Sequence, residues 1–243
     1  IGELRDGCAL KSVDGSAFVG PGRPVLATDR VRFVGDTVAL VIARSAHAAR
    51  EAADLIDVDY APLPVVVVGD QALAPQAPVI WPDAPNNTAL DWSGGDAVAT
   101  QAQFDKAHHI TRLRLVNNRI VVAPMETRGV IADYDAGAGR YTVHTPSQGV
   151  NHIRLPLARN GLKTPASKVR VLTGDVGGAF GMKIPVYPEH VLVCWAAKRT
   201  GRPVKWISDR VDSFVADGHG RDHVMECELA LDENGRFLAV RCL

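Results

Sequence analysis

Gly174-Asp175-Val176-Gly177-Gly178-Ala179-Phe180-Gly181-Met182-Lys183 places four glycines within eight positions, after an apolar run (Val169, Val171, Leu172) and before an amphipathic one. Glycine has no Cβ, so such a loop takes positive φ freely and lets the main chain approach a ligand closely. Successive N–H groups in that conformation form a concavity suited to phosphate, an oxo ligand or another anion, and Lys183 adds positive charge. A tight strand-to-helix turn with no ligand fits the glycines equally well. Two phosphate loops are excluded by spacing. A dinucleotide fingerprint needs Gly-x-Gly-x-x-Gly and a P-loop ends in Gly-Lys-Ser/Thr, whereas here Met182 separates the last glycine from Lys183.

Outward from the loop, strands and helices alternate. Arg112 to Val122, Gly129 to Tyr134 and Tyr141 to Thr145 read as strands, with a turn over 135–139. Val150, Ile153, Leu157 and Ala158 recur at helical spacing, with Gly161 placed to end that helix at C′. Val186 to Arg199 reads as an apolar helix closed by Gly201 and Pro203, Val204 to Ile207 as a strand, and Met225 to Val240 as a hairpin about Asp232-Glu233-Asn234-Gly235. Upstream, 24–43 reads as a strand region. Ser45 can cap a helix from Ala46 to Ile56, and Val58–Tyr60 and Val65–Val68 extend again, giving a β-α-β unit. Between 69 and 96, prolines (Pro75, Pro78, Pro82, Pro85), Asn86-Asn87 and Gly94-Gly95 mark a long irregular connection. The fold class is therefore α+β, with one domain over 1–69, a linker over 70–95 and a second domain over 96–243.

The bulk numbers exclude several classes. The 243 residues carry 27 basic and 27 acidic side chains, so no net charge points to a nucleic-acid surface. With 47% hydrophobic residues the composition is that of a soluble globular protein, and apolar runs such as Val65–Val68 are too short to cross a bilayer. Cys8, Cys194, Cys227 and Cys242 are scattered with no Cys-x-x-Cys pair, which excludes an iron–sulfur cluster or zinc ribbon built within the chain and argues against a disulfide framework. Cys194 lies in an apolar helical run and reads as core. His108-His109 and the pair His219 and His223 lack a His-Glu-x-x-His arrangement and read as surface or satisfied core residues. The chain opens at Ile1 and closes at Leu243 inside strand-like sequence, which reads as a piece of a longer polypeptide.

Six segments then carry a specific resemblance: Leu26-Ala27 with Val31-Arg32-Phe33-Val34-Gly35-Asp36, Val58-Asp59-Tyr60-Ala61-Pro62-Leu63-Pro64, Ala123-Pro124-Met125-Glu126, Thr145-Pro146-Ser147-Gln148, the glycine loop, and Gly201-Arg202-Pro203-Val204-Lys205-Trp206. In this order they resemble the molybdenum-binding large subunit of the xanthine dehydrogenase/aldehyde oxidase family, the molybdenum hydroxylases, carbon monoxide dehydrogenase-like members included. The resemblance implies part of an a/b hammerhead domain followed by the first part of a molybdopterin-binding domain. It implies that Gly177, Gly178, Ala179, Phe180 and Gly181 lie against the cofactor, donating main-chain N–H bonds, with Phe180 near the metal. Gln148 matches a glutamine whose amide donates to an oxygen ligand of molybdenum, a neutral donor that does not compete as a ligand. The implied reaction is hydroxylation of an aldehyde, heteroaromatic or related small substrate with oxygen from water, or oxidation of CO.

The resemblance also fixes what is to be sought elsewhere. A general-base glutamate in Gly-x-Gly-Glu is absent, so no catalytic residue falls within this stretch and the chain alone is not expected to turn over. Iron–sulfur clusters and FAD are implied on partner subunits, in a possible dimer of heterotrimers, with the pterin as molybdopterin cytosine dinucleotide and a cytoplasmic location. Ile184 stands where xanthine-oxidising members carry an acid after the loop lysine, which disfavours xanthine. Ala179 replaces a third glycine found in many members, and the cysteine loop of carbon monoxide dehydrogenases is not found. Glu126 has a general-base reading and a favoured structural one, as ion pair or main-chain acceptor, and Arg210 beside Asp209 reads as structural. Two other classes stay open: a non-catalytic homologue serving as a structural or assembly module, and a diphosphate-binding module, against which the glycine spacing counts.

Overall fold

The computed structural model describes all of residues 1–243. In chain order its elements are β1 (Glu3–Leu4), β2 (Arg23–Pro24), α1 (Ala46–Ala53), α2 (Ala97–Phe104), β3 (His109–Asn117), β4 (Gly129–Asp135), β5 (Arg140–His144), α3 (Val150–Pro156), β6 (Val169–Leu172), α4 (Pro188–Thr200), β7 (Val204–Ile207), α5 (Arg210–Ala216), β8 (His223–Leu231) and β9 (Phe237–Cys242). They belong to two compact units through which the chain passes repeatedly. One comprises residues 1–6, 20–63 and 121–219, the other 7–19, 64–120 and 220–243. No helix is long and apolar enough to cross a membrane.

The first unit is built on a four-stranded sheet in the order β6-β5-β4-β7. β4 pairs antiparallel with both β5 and β7, whereas β5 and β6 run parallel, Tyr141 opposite Val169 and His144 opposite Leu172. A parallel pair needs a crossover, and α3 supplies it. The segment ends in a π-turn (157–161) in which the Leu162 N–H donates to the Leu157 carbonyl at 2.8 Å. Gly161 therefore lies inside that turn and is not a helix C′ residue. Its glycine is required by packing, because a Cβ there would stand 2.6 Å from Val191 Cγ2 on α4. α4 is the central core helix, with Val191, Val193, Cys194 and Ala197 fully or almost fully buried. Pro188 opens it and Gly201, at φ 64, closes it with its N–H on the Ala197 carbonyl. Burial of Val191 and of Val193 stabilises the fold by roughly 1.5–3 kcal/mol each. Leu4 of β1 and Val25, just after β2, join the same cluster.

The second unit carries a three-stranded antiparallel sheet, β3-β8-β9, whose β8–β9 hairpin turns over 232–235 with Gly235 at φ 77. Its alternation sorts charge to one face, where Glu228 lies between Arg112 and Arg241.

The strand reading of the N-terminal region is not what the structure contains. α1 forms, capped by the Ser45 hydroxyl, but 24–43 holds only the end of β2, and 57–68 forms no strand. No β-α-β unit results. An alternating apolar run becomes a strand only when a neighbour pairs its N–H and C=O groups, and beyond Pro24, opposite Glu3, no strand of this chain is registered against these residues. Val65 and Val67 are accordingly exposed.

Candidate functional site

The parallel β5–β6 pair determines where the chemistry gathers. Two parallel strands leave a sheet at the same edge, so 145–148, after β5, and the glycine loop, after β6, emerge side by side. The Thr145 N–H donates to Leu172 O at 3.1 Å and the Thr173 hydroxyl to Thr145 O, which staples the two exits together. Thr145 is anchored from α4 as well. Its hydroxyl donates to Gly129 O at 2.7 Å and accepts from His190 Nε2 at 3.1 Å, while His190 Nδ1 accepts the Tyr187 N–H at 3.0 Å. Those partners require the neutral Nε2–H tautomer. Burial first, and the Arg128 charge second, push the His190 pKa down to about 4.

The glycine loop is held at both ends. At its start, Gly177 N–H donates to Glu126 Oε2 at 2.9 Å and the Glu126 N–H donates to Gly177 O at 3.0 Å. Gly177 is a glycine because a Cβ would sit 2.6 Å from Glu126 Cβ. At its end, Gly181 N–H donates to Gln148 Oε1 at 2.8 Å and Gln148 N–H to Lys183 O at 3.2 Å. An N–H can be received only by the amide oxygen, so Gln148 is oriented and its amide nitrogen, a donor, is left without a protein partner. Between the clamps Gly178 (φ 97), Phe180 (φ 50) and Gly181 (φ 95) take the left-handed region. The N–H groups of Gly178, Ala179 and Phe180 meet no protein acceptor among the described residues. Ala179 is buried. The Phe180 ring is 79% exposed and folds back toward Gly178.

Glu126 takes both of its structural roles, main-chain acceptor for Gly177 and ion-pair partner of Lys183, whose Nζ lies 2.8 Å from Oε2. The Lys183 side chain is 1% exposed against 40% for Glu126. Burial alone pushes the Glu126 carboxyl up, but Lys183 and the Gly177 N–H together outweigh it and hold it below the ordinary carboxylate range. Arg210, at the start of α5, donates to Pro124 O at 2.7 Å and Met125 O at 2.8 Å and so fixes the segment that presents Glu126. Sequence reading missed the Lys183 contact and the Arg210 clamp; the only signal was an acid in Ala123-Pro124-Met125-Glu126, between two strands. Ile184 is 40% exposed just past the loop, its N–H on Gly181 O at 3.3 Å.

A cavity of about 550 Å³ in the same unit is lined by Phe33, Leu40, Tyr187 and Trp206 and touches no residue of 174–184. Its buried charges are paired with one another: Arg128 donates to Asp217 at 2.7 Å and to Glu189, beneath the Tyr187 ring. No group of three or more His, Cys, Asp or Glu is placed to hold a metal ion. A cofactor held here would be held by hydrogen bonds to its organic part and ligands, for which the loop and Gln148 supply donors.

Residues 80–243 match the family of the molybdopterin cofactor-binding domain, and residues 10–64 that of the aldehyde oxidase and xanthine dehydrogenase a/b hammerhead domain. The chain is 35% identical over 237 residues to the carbon monoxide dehydrogenase large chain of Hydrogenophaga pseudoflava, covering 92% of this chain and 29% of that protein. Its fold matches reconstituted CO dehydrogenase from Oligotropha carboxidovorans with a TM-score of 0.85 at 32% identity, over 91% of this chain and 29% of the other. It matches quinoline 2-oxidoreductase from Pseudomonas putida 86 with a TM-score of 0.80 at 33% identity, over 98% and 30%. The chain thus spans about 29% of the length of the curated relative.

Proposed function

The chain belongs to the molybdenum hydroxylases of the xanthine dehydrogenase and aldehyde oxidase family, and from that premise we propose that its 177–181 loop and Gln148 form one wall of a molybdopterin-type cofactor site in an oxidoreductase large subunit. One observation carries the reading: three consecutive main-chain donors, Gly178, Ala179 and Phe180, stand free between two clamps, beside an amide whose nitrogen alone remains to donate. Such a row of N–H groups suits the oxygen-rich periphery of an anionic cofactor. When bound, that cofactor supplies two-electron oxidation of substrate with oxygen from water. The residues here bind and orient it, with Ala179, a buried residue of the loop, anchoring the stretch that carries the three donors.

On this reading the substrate is a small aldehyde or heteroaromatic molecule, or CO. Ile184 offers no carboxylate to a purine, so xanthine is disfavoured. The cytosine dinucleotide form of the pterin, partner subunits carrying iron–sulfur clusters and FAD, their pairing as a dimer of heterotrimers and a cytoplasmic location belong to the same proposal as implications of the family resemblance, and similarity to a protein named as a large chain supports partner subunits. The test is elemental analysis for molybdenum, with fluorescence of the oxidised pterin, on the full-length protein produced with cofactor supply. Stoichiometric metal and pterin, both depleted in Gln148→Ala, are expected. Protein folded but free of both would overturn the reading in favour of a non-catalytic module.

A further inference from the structure

In the second unit, Cys227 on β8 and Cys242 on β9 are register partners. The neighbouring pair, Glu226 and Leu243, exchanges both main-chain hydrogen bonds, at 2.8 and 2.9 Å. Antiparallel pairs alternate, so Cys227 and Cys242 occupy the non-hydrogen-bonded kind of position, where Cα atoms lie about 4.5 Å apart and side chains approach most closely. That separation falls inside the ~4.4–6.8 Å range that a disulfide spans. The two Sγ atoms are in fact 3.2 Å apart, as free thiols on one face of the sheet. Cys242 is exposed and Cys227 half-buried, with Leu113 of β3 on the other flank of Cys227. The other cysteines differ: Cys194 is sealed in the core, and Cys8 is exposed with no second thiol beside it.

We propose that Cys227 and Cys242 are a reversible dithiol–disulfide pair, closed by exchange with a low-molecular-weight disulfide of the glutathione type. The Cys242 thiolate, the more exposed sulfur, attacks one sulfur of the small disulfide, whose S–S bond breaks and expels a thiolate. The Cys227 thiol gives up its proton and its sulfur displaces the second small thiolate from Cys242. One protein S–S bond forms, two protons leave, and the two electrons end on two molecules of reduced small thiol. The hydrogen bond to Cys242, then burial and the Cys242 and Glu226 charges, push the Cys227 thiol up, which suits it to the second, resolving position. Strand register already supplies the geometry, so closure requires no movement of the backbone.

The test equilibrates the full-length protein in glutathione buffers of graded composition, quenches in acid, alkylates the remaining thiols and maps the peptides by mass. The expected result is loss of both alkylation sites together, with the Cys227 and Cys242 peptides joined and lighter by two hydrogens. In Cys227→Ser, Cys242 is expected to carry glutathione instead, because nothing resolves the mixed disulfide. Cys227 and Cys242 each alkylated, or each carrying glutathione independently, at compositions that modify Cys8 would overturn the proposal; so would a linked peptide that forms only after the protein is unfolded.

Discussion

Neutralising Glu126 should cost more than removing its partner, an asymmetry that follows from burial. The Lys183 side chain is 1% exposed and its ammonium is received by Glu126, which is 40% exposed. Glu126→Gln leaves that buried ammonium against a neutral amide. Stranding one member of a buried pair costs about 3–5 kcal/mol, and water reaching the open side of residue 126 brings the expected figure to about 3 kcal/mol. Lys183→Met strands a carboxylate that water already touches and that keeps the Gly177 N–H, while a methionine fills the lysine channel; about 1 kcal/mol is expected. The double variant has no stranded charge, so the pair should show a coupling of about 2 kcal/mol. Urea unfolding of the four proteins measures the cycle, and hydrogen exchange of the 174–182 peptide reads the loop directly, with faster exchange in Glu126→Gln. Equal costs, a costlier Lys183→Met, or additivity within about 0.5 kcal/mol would refute the reasoning.

Four further expectations concern the same unit. His190 has its pKa depressed to about 4 from an ordinary 6.5, so below 6.5 the unfolded chain takes up a proton that the fold refuses. Stability should fall as pH drops from 6.5 toward 4, by about 3 kcal/mol in all, and His190→Gln should flatten that slope in pH-dependent thermal melts. Arg128→Met leaves the Asp217 and Glu189 carboxylates facing each other in the interior and should cost about 3–5 kcal/mol by denaturant midpoint. Arg128→Lys should rescue little of that loss, because one ammonium cannot reproduce the guanidinium fork. Gly181→Ala meets no neighbour within 4 Å and should cost only the left-handed backbone penalty, about 1–2 kcal/mol. Gly177→Ala drives a Cβ to 2.6 Å from Glu126 and should accelerate exchange throughout the loop, visible in the same mass-spectrometric experiment.

What sequence reading recovered, and what it lost, divides along the range of the forces involved. β4, β5, β6, β7, α4 and the β8–β9 hairpin were legible because period, caps and turn residues are local: Gly201 and Pro203 close α4, and Asp232 to Gly235 turn the hairpin. Gly161 was misread as a cap, since its constraint is a methyl group of Val191 thirty residues away in sequence. Strands within 24–43, 58–60 and 65–68 were misread because a pleated run states its willingness to pair without naming a partner. The loop and Gln148 were recognisable as neighbours in chemistry, but the clamp that orients the amide, Gly181 N–H on Oε1, is a tertiary contact. Lys183 was read as loop charge, whereas its ammonium is spent on Glu126.

The interleaving of the two units bears on how the protein can be made and dissected. Leu4 and Val25 are synthesised early, yet the sheet and helix they pack upon are supplied by residues 129–207. Likewise β3 waits for β8, whose first residue is His223. A nascent chain therefore cannot close the first unit before β7, ending at Ile207, has left the ribosome, nor the second before β8, ending at Leu231, and its apolar early segments pass that interval uncovered. Cutting the gene at residue 69 or 95, where composition invites it, would separate each unit from strands or core residues it requires. A narrow choice of permissive truncation points is the practical expression of that chain path.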